Sequence, residues 1–170
     1  MKFFSGFCLA NEQELFTSYL NPSDFSIAGF SYGAIKALKY ALAHHERIDT
    51  LQLFSPAFFH DKDAKFKKLQ TLSFSKNSET YTQNFMQNIA YPSSLDMQPY
   101  FKQGSLNELS ELLHYTWDEA HLQALKERGI HIEVYVGECD AIINATAVKT
   151  FFVEYATVYY FKRFGHILKN

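Results

Sequence analysis

The stretch FSIAGFSYGAIKALKYALAH, residues 25–44, decides how this chain folds. Its first six residues are mostly apolar, which predicts a strand over residues 25–30 with both faces buried. Residues 33–44 then place Ala34, Ile35, Ala37, Leu38, Ala41 and Leu42 on one broad stripe, the pattern of a helix packed along one side. Between strand and helix lies Gly29-Phe30-Ser31-Tyr32-Gly33. A serine on a sharp strand-to-helix turn has an exposed hydroxyl, and glycines two positions to either side relieve the crowding of that turn. Ser31 is therefore a candidate nucleophile.

Working outward, short strand-like runs alternate with helical patterns, which predicts an α/β fold with a parallel sheet. Residues 2–7 are a first strand. Asn11 is placed to cap a helix through Tyr19, with Glu12 and Glu14 favourable in its first turn. Asn21-Pro22 stops that helix. Residues 51–54 are a third strand, ended by Ser55-Pro56. Residues 56–117 break the alternation with three helical patterns. The first covers residues 61–69. The second has Ser78 as a cap, and the third opens on Ser105 and Glu108 at capping-box spacing. This block is expected to be a helical cap inserted into a core of residues 1–55 and 118–170. Asp118 then caps a helix ending at Gly129, residues 130–136 form a strand, residues 144–155 a helix and residues 157–161 a last strand.

The 170 residues, 47% of them hydrophobic and 20% charged, are enough for one domain with a buried core and argue against disorder. A net charge of −2 argues against general nucleic-acid binding. Cys8 and Cys139 form no disulfide framework and no zinc spacing. The first residues turn acidic too soon for a secretory signal, and no run of apolar residues is long enough to span a membrane. A soluble cytoplasmic protein is the expectation.

A serine needs a base, and on this kind of sheet the acid and then the histidine follow the serine in the chain, each at the end of a later strand. Asp140 sits just beyond the strand of residues 130–136. Glu138 is the rival acid, but it lies only two residues past that strand. His166 is the only histidine after the last strand. His44 and His45 end the helix that follows Ser31, where they offset its dipole. His60, His114 and His121 fall in or near the inserted block, and His131 lies within a strand. An acyl-transfer site also needs two backbone N–H donors for the oxyanion. One is Tyr32, after the nucleophile. The other comes from the loop after the first strand, Ser5-Gly6-Phe7-Cys8, with the Phe7 N–H as the candidate.

With these residues in place, the chain resembles the α/β-hydrolases. More narrowly, it is similar to the compact pimeloyl-acyl-carrier-protein methyl ester carboxylesterases of biotin synthesis, in the BioV-like form of Helicobacter-type bacteria. The matching stretches are Phe3-Phe4-Ser5-Gly6-Phe7, Gly29-Phe30-Ser31-Tyr32-Gly33-Ala34-Ile35-Lys36, Leu53-Phe54-Ser55-Pro56, Phe101-Lys102-Gln103-Gly104-Ser105-Leu106, Ile132-Glu133-Val134 and His166. The resemblance implies a reduced α/β-hydrolase fold of about five mainly parallel strands. It implies hydrolysis of the methyl ester of pimeloyl-acyl carrier protein by Ser31, His166 and Asp140, with no metal and no cofactor. Larger members carry strands ahead of the first and a helix after the last, and neither is expected here. Five strands in sequential order put the connecting helices on one face. The other face must then be covered by the first helix, by the cap or by a partner subunit.

Two further expectations follow from side-chain chemistry. Phe58, Phe59, Phe66, Phe74, Tyr81 and Phe85 are candidates to line an acyl slot or simply to pack the cap. Acyl carrier proteins are acidic, so a docking site should be basic. Lys62, Lys65, Lys67, Lys68 and Lys76 form the densest basic cluster, with Lys62, Lys65 and Lys68 at helical i+3 spacing. Neither a nucleic acid nor a membrane is an expected partner. The same triad would also serve a broad-specificity carboxylesterase or thioesterase acting on small acyl esters, because fold and triad do not fix substrate.

Overall fold

A computed structural model describes residues 1–170. Strands β1 (Lys2–Phe4), β2 (Ser26–Phe30), β3 (Thr50–Phe54), β4 (His131–Gly137) and β5 (Thr157–Phe161) form one sheet. Every pairing is parallel and the spatial order is β1-β2-β3-β4-β5. Strands β2 and β3 are buried at every position, including the polar residues Ser26, Thr50 and Gln52. Strand β1 is shorter than expected. The chain turns immediately after it, with the Leu9 N–H returning to the Gly6 carbonyl.

Sequential parallel order with right-handed crossovers places α1 (Tyr32–Ala43), α5 (Glu119–Glu127) and α6 (Ala145–Phe152) on one face. They cover Ile27, Leu51, Leu53, Ile132, Val134 and Val136, all nearly or fully buried. The caps of α5 and α6 are Asp118, which accepts from the Ala120 N–H, and Asn144, which accepts from the Ala147 N–H.

The segment after β1 covers the upper part of the second face. It is not the capped helix that Asn11 suggested. Asn11 adopts a left-handed φ of 64° and makes no capping bond, and only a short 3-10 turn, Glu12–Phe16, follows. That turn nevertheless supplies Phe16, which stacks on Phe54 at 4.8 Å and meets Phe30 at 4.9 Å between ring centres. Tyr19 then reaches Tyr135 and Phe161 at 5.8 and 5.3 Å. Burying a ring like Phe16 contributes about 2–3 kcal/mol. Below these rings the same face turns polar. The Gln52 amide nitrogen donates to the Tyr19 carbonyl at 2.9 Å and to Glu133 at 2.8 Å, and the Asn21 N–H donates to the Gln52 side-chain oxygen at 2.8 Å. Thr50, His131, Glu133 and Thr157 share that end of the face by register. A sheet surface of this polarity needs no apolar cover.

Residues 56–117 add no strand to the sheet. They carry α2 (Ala64–Lys76), α3 (Ser78–Ala90) and α4 (Leu106–His114). Asp63 caps α2, so that helix begins later and runs further than residues 61–69. The cap of α3 is Asn77, one residue before the expected Ser78, and its side chain accepts from the Thr80 N–H. The capping box of Ser105 and Glu108 forms as the spacing predicts. Helix α4 is tied to α1 through polar groups. The Tyr32 hydroxyl and Lys39 both bond Glu111, and Lys36 lies 3.6 Å from Glu108. No helix of the molecule is long and apolar enough to cross a membrane.

Candidate active site

Ser31 stands between β2 and α1 with φ 53° and ψ −114°, a strained conformation for a residue with a side chain. Two contacts show why glycine flanks it. A side chain on Gly29 would run into the Gly33 carbonyl, and one on Gly33 would run into the carbonyls of Phe4 and Ser5. The second contact presses the loop after β1 against the serine turn. The Ser31 hydroxyl does not cap the helix it precedes.

His166 and Asp140 meet. The His166 Nδ1 and Asp140 Oδ2 are 2.6 Å apart, and both side chains are fully buried. The other carboxylate oxygen of Asp140 accepts the N–H groups of Ile142 and Ile143 at 2.8 and 3.0 Å. A carboxylate held this way fixes the imidazole with its proton on Nδ1. The His166 Nε2 is buried and has no hydrogen-bond partner in the protein. It is therefore the nitrogen left to accept a proton. Glu138, the rival acid, is exposed.

Sequence reasoning gives Ser55 no role at the site, although Ser55-Pro56 ends a strand and belongs to a stretch that carries the resemblance. Its hydroxyl donates to the His166 carbonyl at 2.6 Å, and Ser55 itself is fully buried. The residue before it, Phe54, accepts the Ser31 N–H at 2.9 Å. The nucleophile turn and the histidine loop are thus both fastened to the end of β3 at adjacent positions. The Phe30 and His166 rings lie 5.0 Å apart.

The two expected oxyanion donors are available. Tyr32 is the first residue of α1, so its N–H has no intrahelical acceptor. The Phe7 N–H takes part in no backbone hydrogen bond. The N-terminal end of α1 adds a favourable dipole for developing negative charge.

Ser31 opens into a cavity of about 380 Å³ between the sheet's end and α2, α3 and α4. Of the six candidate aromatics, Phe59, Phe66, Tyr81 and Phe85 line it. Phe58 and Phe74 do not. Phe58 stacks on His60 and packs on Phe151, while Phe74 is buried against Phe7 and Tyr81. Leucines of α4 complete the apolar wall, and none of the lining residues is charged. The cavity suits an uncharged, mostly apolar acyl group.

Three of the remaining histidines make structural contacts, and His45 and His121 are simply exposed. His60 accepts the Trp117 N–H at 2.8 Å, and burial, aided by Lys67, lowers its pKa. His44 stacks on Tyr40 at the end of α1, and His114 bonds the Ser110 carbonyl. Of the basic cluster, Lys62 precedes α2 rather than lying on it and pairs with Asp61 at 3.0 Å. Lys65, Lys68 and Lys76 stand exposed on α2, on the same face as Leu69 and Leu72, which are 51% and 53% exposed.

Cys8 follows the oxyanion loop and is buried against Gly104. Burial pushes its thiol pKa up to about 12. At pH 8 Cys8 should therefore resist alkylation by iodoacetamide in the folded protein, while Cys139, which is partly exposed, reacts first. Peptide mapping after a timed reaction tests this, and equal labelling of both would contradict it.

Solved structures share this arrangement of sheet and helices. Carboxylesterase CesB (YbfK) from Bacillus subtilis superimposes with a TM-score of 0.57 at 16% identity, over 84% of this chain and 53% of that one. The chain has an α/β-hydrolase fold. It spans little more than half the length of that carboxylesterase. BioG from Haemophilus influenzae matches over 97% of this chain and 87% of its own, with a TM-score of 0.62 at 13% identity. MenH from S. aureus matches over 98% and 87%, with a TM-score of 0.61 at 14% identity. No family model matches the sequence. No curated protein matches it either.

Proposed function

We propose that this chain is a serine carboxylesterase that hydrolyses the methyl ester of pimeloyl-acyl carrier protein to pimeloyl-acyl carrier protein and methanol. The observation that carries the hydrolase part is the buried Asp140–His166 pair, with a free Nε2, packed on Phe30, the residue before a strained Ser31 that opens into an uncharged cavity. The chemistry runs as an acyl transfer. Ser31 Oγ gives its proton to His166 Nε2 and bonds to the ester carbonyl carbon. The carbonyl oxygen takes the negative charge between the Phe7 and Tyr32 N–H groups, while Asp140 stabilises the imidazolium. His166 then returns the proton to the departing methoxide, and methanol leaves. Water, deprotonated by His166, cleaves the acyl-enzyme and frees the carboxylate and Ser31.

The narrower substrate rests on three supports. The sequence resembles that esterase family over nearly the whole chain. The cavity offers no cation to hold a free carboxylate, which suits a neutral methyl ester over the charged product. The outer face of α2 offers Lys65, Lys68 and Lys76 around two exposed leucines, which suits an acidic partner with an apolar contact. Lys62, paired with Asp61, and Lys67, on the side of α2 nearer His60, lie off that face. The fold alone does not choose the substrate, since BioG and MenH match equally well. A cavity of this size and neutrality also favours small acyl esters, so a broad carboxylesterase or thioesterase is the second reading.

Hydrolysis of pimeloyl-acyl carrier protein methyl ester should be compared with that of unattached dimethyl pimelate. A kcat/KM about tenfold or more higher on the carrier-bound ester is expected, falling with salt and in a Lys65→Glu, Lys68→Glu, Lys76→Glu variant. Equal values on both esters at all salt concentrations would leave the broad esterase standing and remove the dedicated one.

A further inference from the structure

Glu12 is fully buried, and the chemistry above makes no use of it. Its Oε1 accepts the Gly6 N–H at 2.7 Å, and its Oε2 is buried with no partner. A carboxyl group buried with one oxygen unpaired carries a desolvation cost. Burial pushes its pKa up, against the pull of the Gly6 N–H, its own N–H, the nearby Ser5 hydroxyl and the charge of Lys36.

Glu12 touches the loop after β1. Gly6 directly precedes Phe7. A side chain at Gly6 would come within 3.1 Å of the Phe30 ring and 3.3 Å of the Phe30 carbonyl, so that close approach favours glycine. Glycine brings the widest backbone freedom. Because the peptide unit is planar, the torsions of Gly6 set where the Phe7 N–H points. The Gly6 carbonyl is held only by the long 3.3 Å bond from the Leu9 N–H. The Glu12 bond, short and buried, is the stronger restraint.

We infer that Glu12 is a positioning residue for the oxyanion hole: it clamps the Gly6 N–H and so aims the Phe7 N–H at the oxyanion that forms on Ser31. This rests on Ser31 as nucleophile and Phe7 as donor, but not on the identity of the acyl substrate.

The test uses the full chain and two readouts, the rate at which a fluorophosphonate labels Ser31, and kcat and KM on p-nitrophenyl acetate. Glu12→Ala should slow labelling and lower kcat by about 10- to 100-fold with KM within about twofold, since an ill-aimed donor loses much of what a missing one costs. Glu12→Gln keeps an acceptor oxygen for Gly6 and should stay within about threefold of wild type on both readouts. Leu15→Ala, a buried change in the same turn, should lower the melting temperature without that fall in kcat. The inference is overturned if Glu12→Ala labels at the wild-type rate, if Glu12→Gln is as slow as Glu12→Ala, or if Leu15→Ala loses kcat equally. Should the carrier-bound ester prove inert while this labelling pattern holds, Glu12 keeps its role and only the substrate assignment falls. Should wild-type Ser31 not label at all, both fall.

Discussion

Ser31→Ala is expected to lower kcat on any ester the wild type turns over by about 10⁶-fold, leaving KM within a few-fold. The size follows from what is removed. Ser31 Oγ is the atom that bonds to the carbonyl carbon, and no other hydroxyl takes its place. Ser55, whose neighbour Phe54 accepts the Ser31 N–H, is fully buried and spends its proton on the His166 carbonyl. What survives is the pull of two N–H donors and the cavity on a substrate attacked directly by water, roughly 10³-fold over the uncatalysed reaction. Binding should persist because the cavity walls are contributed by α2, α3 and α4 rather than by the serine. Burst kinetics on a chromogenic ester supply the check. Wild type should show a burst of one equivalent if deacylation is slow, and the variant none. A variant retaining more than about a hundredth of wild-type kcat would place the nucleophile elsewhere.

The sheet was legible because its strands are short runs rich in apolar, β-branched and aromatic residues bounded by turn signals, which is why residues 157–161 come out with the bounds expected of them. Asp140 and His166 were legible for a topological reason. Each ends a strand or follows one in a sheet whose order is sequential, so their neighbourhood was set before any side chain was placed. Side-chain contacts to distant backbone were not legible. Ser55 reaches the His166 carbonyl across 111 positions of the chain, and Glu12 reaches Gly6 around a turn built on the left-handed residues Cys8 and Asn11. Nothing in hydrophobic periodicity marks such contacts. Helix starts slipped by a residue where two good caps adjoin, as Asn77 and Ser78 do. Phe58 and Phe74 look no different in sequence from the aromatics that line the cavity. Which way each ring turns was decided by α6 and by Phe7, which pack against them.

Asp140→Asn should cost about 10⁴-fold in kcat while leaving the fold and KM close to wild type. Asparagine matches aspartate in shape, so its side-chain oxygen can still accept the Ile142 and Ile143 N–H groups that now fall on Oδ1. Its amide nitrogen then occupies the place of Oδ2 and turns a donor towards His166 Nδ1. Two donors cannot face each other across 2.6 Å, so the imidazole must move its proton to Nε2. That nitrogen is buried and is the one required to take the proton of Ser31. The loss therefore stems from the wrong tautomer rather than from disorder, and the pH profile separates the two. At high pH hydroxide or another base can assist the serine directly, so the variant's activity should keep rising with pH where the wild type has reached a plateau. Nitrogen-15 spectra of the His166 ring give an independent reading, with the proton on Nδ1 in wild type and on Nε2 in the variant. Glu138→Gln, at the exposed rival acid, should leave kcat within about twofold. If the two variants changed places, with Glu138→Gln inactive and Asp140→Asn unharmed, the acid of the triad would be Glu138, and the Asp140–His166 bond would serve only to hold the last loop against the sheet.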